Sequence, residues 1–113
     1  MKLLRLAPVL VAVALLRAQS GDSSVSGAVK DPAGSAIPAA NITVVNTRTG
    51  VQQATFSNDS GLYRVGGLVP GSYRVEVDAV GFDHLVRGPV TIEVSQNLAL
   101  DIALQVGKQS EIV

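Results

Sequence analysis

The sequence predicts an all-β protein, a Greek-key antiparallel β-sandwich of about seven strands, and two observations support this fold class. The first is the segment 72–79, in which Tyr73, Val75, Val77 and Ala79 are apolar and the residues between them are polar. A period of two places these two sets on opposite faces of a β-strand. The second is the recurrence of turn-forming residues every ~8–12 positions, with no helical period after the amino-terminal segment.

Residues 1–20 have the layout of a secretory signal peptide, which precedes the predicted domain. Two basic residues lie among the first five, and an uncharged apolar run follows at 6–16. A membrane-spanning helix needs ~20 apolar residues, so a cleaved leader is favoured over a permanent anchor. Small side chains predict cleavage after Ala18 or Ser20. We therefore expect an exported mature chain without a stable membrane span.

The charge of the chain indicates which partners to expect, and its cysteine content indicates how the fold is stabilised. The full chain has nine basic and nine acidic residues. Residues 1–20 carry three of the basic residues and none of the acidic ones, so the mature chain keeps six and nine, a net charge of −3. Nucleic-acid binding needs a basic face, so no nucleic-acid partner is expected. The chain has no cysteine, so its stability must come from an apolar core.

In the first half of the domain, short alternating segments bounded by turns predict the strands. The predicted strands are 24–30, 40–46, 51–57 and a short one that contains Tyr63 and Val65. The residues expected on the inward faces of the first three strands are Val25, Gly27, Val29, Ile42, Val44, Ala54 and Phe56. The turns between the strands, rich in Asp, Asn, Pro and Gly, are 31–34, 47–50 and 58–61.

The second half of the domain continues the same pattern. Pro70–Gly71 leads into the strand 72–79, and Gly81–Phe82 marks a break. Residues 84–87 are predicted as an edge strand that Gly88–Pro89 ends. A further strand contains Val90, Ile92 and Val94, and a turn follows at 95–97. The apolar residues of a long final strand are Leu98, Leu100, Ile102, Leu104 and Val106, and residues 107–113 are predicted as a tail.

Several of these segments together resemble the carboxypeptidase regulatory-like domain. The pattern D-x-G-x-Y begins at Asp59, and P-G-x-Y-x-V-x-V begins at Pro70. Upstream, G-x-V-x-D-P-x-G begins at Gly27 and N-T-x-T-G-V begins at Asn46. The resemblance spans residues 24–106, which are the predicted bounds of the domain.

The resemblance implies a fold similar to prealbumin, the Cna protein B-type domains and the starch-binding-like sandwiches. A signal peptide followed directly by this domain is similar to the start of bacterial TonB-dependent receptors of the outer membrane. We therefore expect a chain that is periplasmic, outer-membrane-associated or extracellular, either a truncated receptor or a stand-alone module. The expected function is a non-catalytic one, a structural or protein-interaction role at the bacterial envelope. An edge strand such as 84–87 is the predicted contact surface.

The sequence predicts no catalytic, cofactor-binding or metal-binding residues, so an enzyme is not expected. His84 is the only histidine, and both a zinc peptidase and a Ser-His-Asp triad would depend on it. A Lys–Asn bond, as in some Cna B-type domains, would need Lys30, Glu76 and Asn97 together inside, but parity places the first two toward water. The oxygens at 58–60 are too few for calcium, which prefers about six to eight ligands.

Carbohydrate binding is the alternative function, because starch-binding-like sandwiches share the expected fold. Sugar sites typically use exposed aromatic platforms, and the mature chain has two Tyr, two Phe and no Trp. Phe56, Tyr63 and Tyr73 are in phase with the apolar faces, so we expect them in the core. Phe82 is then the aromatic residue expected at the surface.

Overall fold

The computed structural model describes residues 23–107. The predicted signal peptide and residues 108–113 of the predicted tail lie outside this range, so both stay predictions. Within residues 23–107 no helix is long and apolar enough to cross a membrane. The described strands are β1 (Ser23–Lys30), β2 (Asn41–Asn46), β3 (Gln52–Phe56), β4 (Leu62–Leu68), β5 (Gly71–Asp78), β6 (Leu85–Ile92), β7 (Asn97–Ala99) and β8 (Ile102–Ala103).

The strands form two four-stranded sheets with the core between them. In sheet I the order is β4-β1-β7, and β8 also pairs with β1. In sheet II the order is β3-β2-β5-β6. The predicted β-sandwich is confirmed. The prediction that every strand is antiparallel is wrong for the end of the chain, because β7 and β8 both run parallel to β1.

The core is built from the inward positions of both sheets. The alternation predicted for 72–79 is confirmed, since Tyr73, Val75 and Val77 are buried and Ala79, just past the end of β5, is half-buried. Each fully buried aliphatic side chain stabilises the fold by ~1.5–3 kcal/mol. The other buried aliphatic residues with almost no exposed surface are Val25, Val29, Ile42, Val44, Leu68, Ile92, Ile102 and Leu104.

The apolar residues of β3 face outward, contrary to the prediction. Ala54 lies opposite Thr43 of β2, and Phe56 lies opposite Asn41. Residues directly opposite one another in an antiparallel pair project to the same face of the sheet. Because Ile42 is buried in the core, its neighbours on β2 face away from it, and so do Ala54 and Phe56. Both are exposed, so neither belongs to the core.

Strand β6 lies at an edge of sheet II, as predicted, but it is longer than expected. It continues through Gly88–Pro89, so this pair does not end it, and Val90 and Ile92 of the next predicted strand form its second half, while Val94 lies beyond its end. The register between β5 and β6 shifts between Tyr73 and Val75, and β6 has one extra residue there. This is a β-bulge. It explains how a proline, which has no N–H to donate, fits within the strand.

The predicted long final strand is interrupted where it crosses Gly27 of β1. The chain pairs with β1 through β7, leaves the ladder at Leu100 and Asp101, and pairs again through β8. At the crossing, the N–H of Leu100 donates to the carbonyl of Ser26 at 2.8 Å. The N–H of Ala28 donates to Oδ1 of Asp101 at 3.0 Å. A Cβ on Gly27 would collide with the carbonyl oxygen of Leu100, so the close approach requires glycine.

We expect Gly27→Ala to destabilise the fold by about 3 kcal/mol, because the new methyl group must displace the backbone of the final strand. Gly66→Ala in β4 is the matched control. Its Cβ would meet the end of the flexible Arg64 side chain, 2.7 Å away, rather than a backbone atom. Urea unfolding measures both variants. A Gly27→Ala protein as stable as Gly66→Ala would show that the crossing adapts easily.

Candidate binding surface

The outer face of sheet II carries an exposed aromatic ring beside polar side chains. The register aligns Phe56, Asn41 and Asp78 across β3, β2 and β5, and we call these three residues the Phe56 row. Phe56 is 65% exposed. The Oδ1 atom of Asn41 is buried and has no hydrogen-bond partner among the described residues. The row therefore combines an exposed apolar platform with the exposed carboxylate of Asp78, which could form hydrogen bonds with a ligand.

Four charged or titratable side chains continue this surface along β5 and toward β6. The Nε atom of Arg74 lies 2.7 Å from Oε2 of Glu76. The Nδ1 atom of His84 lies 2.6 Å from Oδ1 of Asp78, and its Nε2 atom lies 3.8 Å from Oε1 of Glu76. All four side chains are substantially exposed, where ion pairs contribute at most ~1 kcal/mol. They therefore matter more as surface hydrogen-bonding groups than for stability.

Carboxylates rather than a hydroxyl group surround the imidazole of His84. Its two ring nitrogens face two different carboxylates, those of Asp78 and Glu76. A triad would need a hydroxyl group on one of those nitrogens. Within residues 23–107, no group of three or more His, Asp or Glu side chains is placed to hold a metal ion.

The residues considered for a Lys–Asn bond lie far apart. Lys30 is exposed at one end of β1, where it pairs with Ala103. Asn97 pairs with Ser24 at the other end of β1, and its Oδ1 atom accepts a hydrogen bond from the Ser24 hydroxyl at 2.7 Å. The side chain of Asn58, considered for calcium, instead accepts two backbone N–H groups of its own turn.

Two of the four aromatic residues do not lie where the sequence placed them. Tyr63 and Tyr73 are buried, as predicted. Phe56 was expected in the core but is exposed, because the register with β2 turns it outward. Phe82 was expected at the surface but is half-buried and packs against the core, where a backbone bridge pairs it with Val106. The exposed aromatic ring is thus the one at position 56.

An open depression of about 280 Å³ lies on the same outer face. Its lining residues are Thr47, Ser72, Arg74, Gly88 and Pro89. Pockets for small molecules usually enclose ~300–1,000 Å³ and bury most of the ligand. The depression therefore gives the surface a shallow concave region lined by the Arg74 guanidinium but does not form an enclosed site.

The outer strands of the two sheets differ in how well they are protected against pairing with another strand. Strand β6 contains the Gly88–Pro89 bulge, and β4 contains Arg64 and the pair Gly66–Gly67. Strands β7 and β8 are three and two residues long. Bulges, prolines, charges and shortness all discourage edge pairing. Strand β3, QQATF, has none of these features over its five residues, and we call its outer side the β3 edge.

Tyr63, part of the motif that carries the family resemblance, has a structural role. Its hydroxyl donates a hydrogen bond to the carbonyl of Leu100, next to the crossing over β1. Burial raises the pKa of Tyr63 to about 12, the carboxylate of Asp101 adds to the rise, and Arg87 opposes it. The phenol therefore keeps its proton, and its hydrogen bond, well above neutral pH.

The fold and these surfaces define a small all-β sandwich domain whose exposed features are a polar face and a free strand edge. The sequence profile of the carboxypeptidase regulatory-like domain matches residues 24–105, so the chain belongs to this family. No curated protein sequence matches the chain significantly.

Solved structures with the same fold come from proteins of several kinds. The Bacillus anthracis TIE protein superposes with a TM-score of 0.64 at 18% identity, over 76% of this chain and 17% of that protein. A candidate carbohydrate-binding protein from Bacteroides uniformis superposes with a TM-score of 0.61 at 18% identity, over 74% and 41%. Catechol 1,2-dioxygenase from Acinetobacter gives 0.60 at 12% identity, over 80% and 54%. The chain thus spans at most about half of these proteins, and identities this low show the fold alone.

The raised pKa of Tyr63 predicts a loss of stability at high pH. In the unfolded chain the phenol ionises near pH 10, whereas in the folded chain it ionises near pH 12. Because the folded state binds this proton more tightly, its contribution is complete below pH 10 and falls as the pH rises toward 12. Urea unfolding just below pH 10 and midway to pH 12 measures the fall.

Tyr63→Phe is the variant that isolates this effect. It should cost ~1–3 kcal/mol near neutral pH, because the Leu100 carbonyl loses its donor. Its stability should then fall less between pH 10 and pH 12 than that of the wild type. Equal falls in the two proteins would contradict the assignment to Tyr63.

Proposed function

We propose that the chain is an exported, non-catalytic β-sandwich module of the bacterial envelope that acts through contacts with protein. The arrangement expected from the sequence, a signal peptide followed directly by this domain, resembles the start of TonB-dependent receptors and supports this placement. The observation that carries the proposal is the β3 edge. An open strand edge with no charge, glycine, proline or bulge is suited to pairing with an added strand.

The surroundings of the titratable groups support a non-catalytic role. The imidazole of His84 lies on an open surface between two carboxylates, without the cleft that excludes water from a reacting centre. The buried hydroxyl of Tyr63 donates its hydrogen bond to the backbone carbonyl of Leu100. Neither group is therefore positioned to act on a substrate.

Site-specific photo-crosslinking in living cells tests the proposed role. A photoreactive phenylalanine analogue is placed at Gln52 on the β3 edge of the full chain, or at Thr91 on β6 as the matched control. Both positions are uncharged and exposed on edge strands of the same sheet. We expect a protein adduct in the envelope fraction from position 52 and much less from position 91.

The adducts formed from position 52 distinguish between support for the proposal and its contradiction. An adduct with another protein, or with a second copy of the chain, supports a role in protein contacts. No adduct from position 52, or equal labelling from both positions, would contradict the β3 edge as the contact surface.

Carbohydrate binding is a second candidate function, and the Phe56 row favours it. The exposed ring of Phe56 offers the flat platform on which sugar rings can stack, and the exposed carboxylate of Asp78 offers a hydrogen-bonding group in the same row. The matching fold of the candidate carbohydrate-binding protein from Bacteroides uniformis is consistent with this use.

Retention on a panel of insoluble polysaccharides tests this candidate. We expect at least one polysaccharide to retain the wild type and Phe56→Ala to bind about tenfold more weakly, a change of ~1.4 kcal/mol. Because the ring is exposed, the substitution should change stability by no more than ~0.5 kcal/mol. Leu62→Ala, an exposed apolar residue of β4, is the control and should bind normally. No retention of the wild type would remove this candidate.

A further inference from the structure

We infer that the β3 edge pairs with the β3 edge of a second copy of the chain, antiparallel and about a two-fold axis through Ala54. This inference rests on the proposed function and names its partner. It would join sheet II of each copy into one continuous eight-stranded sheet.

The backbone groups of β3 that point away from the sheet follow from the β2–β3 ladder. At one end of this ladder the N–H of Asn46 donates to the carbonyl of Val51, and at the other the N–H of Ser57 donates to the carbonyl of Ala40, both at 2.9 Å. Odd-numbered residues of β3 therefore bond to β2, and the even-numbered ones point outward. The residues with free N–H and C=O groups are Gln52, Ala54 and Phe56. No described strand pairs with this side of β3.

The register of these groups is self-complementary. A two-fold axis at Ala54 places this residue opposite its own copy and places Gln52 opposite Phe56 of the second copy. All three residues present their N–H and C=O groups toward the axis, so every free group on one edge meets a free group on the other without a register slip. The pairing also places each Phe56 ring beside a Gln52 side chain, which covers part of its exposed apolar surface.

The charge distribution favours a second copy of this chain at β3. A two-fold axis brings identical side chains together, so a charge near the axis would be repelled by its own copy. Strand β3 is uncharged, and so is the adjacent strand β2. By contrast, an axis at β6 would bring together two copies of Arg87, with Arg74 and Glu76 on the adjacent strand.

Single cysteines test the arrangement directly, because the natural chain has none. Across the proposed axis the two Ala54 Cα atoms would be ~5.5 Å apart, within the ~4.4–6.8 Å range of disulfides. Thr43 lies on the same outer face one strand further in, so its two copies would be ~14 Å apart. We expect Ala54→Cys in the full chain to form a covalent dimer in whole cells treated with diamide. It should do so more than about tenfold faster than Thr43→Cys.

Sedimentation of the purified wild-type chain is the second measurement. We expect a reversible dimer that Ala54→Lys abolishes, since it places two ammonium groups at the axis, and that Thr43→Lys retains. A monomeric wild type, or equal crosslinking of the two cysteine variants, would overturn the inference. If photo-crosslinking at position 52 yields an adduct with a different protein only, self-pairing is wrong and the proposed function stands. If it yields no adduct, both fail.

Discussion

The passage of the final strand over Gly27 is the constraint on which the rest of the structure depends. The carbonyl of Leu100 occupies the space where any other residue would carry a Cβ, and Tyr63 donates its hydroxyl to that same carbonyl. This contact holds the last strand against β1, with β4 on the other side of β1. Sheet I is therefore complete only when the end of the chain has returned to its beginning, and Ile102 and Leu104 then fill the core between the sheets. In a chain without disulfides, this closure ties the carboxyl-terminal part of the domain to its amino-terminal part.

The closure also explains why the two sheets offer different surfaces. Sheet I has its longest strand, β1, in the interior and short or interrupted strands at one side. The edge strands of sheet II are β6, which is protected by its bulge, and β3, which is not. The polar face of sheet II does not contribute to the core, since β5 turns one set of its side chains to solvent and β3 has no buried residue. Its residues are thus free to be selected for contacts rather than for folding.

Most of the fold could be predicted from the sequence, because its signals are local. The alternation of β5 and the Asp31 to Gly34 turn are properties of short segments, and both are confirmed. The predictions were wrong where pairing with another strand determines the direction of a side chain or of a strand. The direction of the Phe56 side chain is set by the register with β2, and alternation alone gives the two faces of a strand without saying which is inward. A period of two does not distinguish parallel from antiparallel pairing, so the parallel pairing of β7 and β8 with β1 was not predicted. The contacts of His84 with Glu76 and Asp78 depend on the β5–β6 pairing, and no spacing in the sequence revealed them.

The edge strands of this domain differ in how well they are protected against pairing with another chain. An unpaired edge exposes N–H and C=O groups that bind any extended chain, so natural sheets usually protect their edges. Here β6 contains a proline at a bulge, and β4 contains two adjacent glycines and an arginine. These features reduce pairing at those edges, whereas Gln52 to Phe56 contains no charge, glycine or proline. The same chain thus protects some of its edges and leaves this one open, and the proposed contact at β3 rests on that contrast.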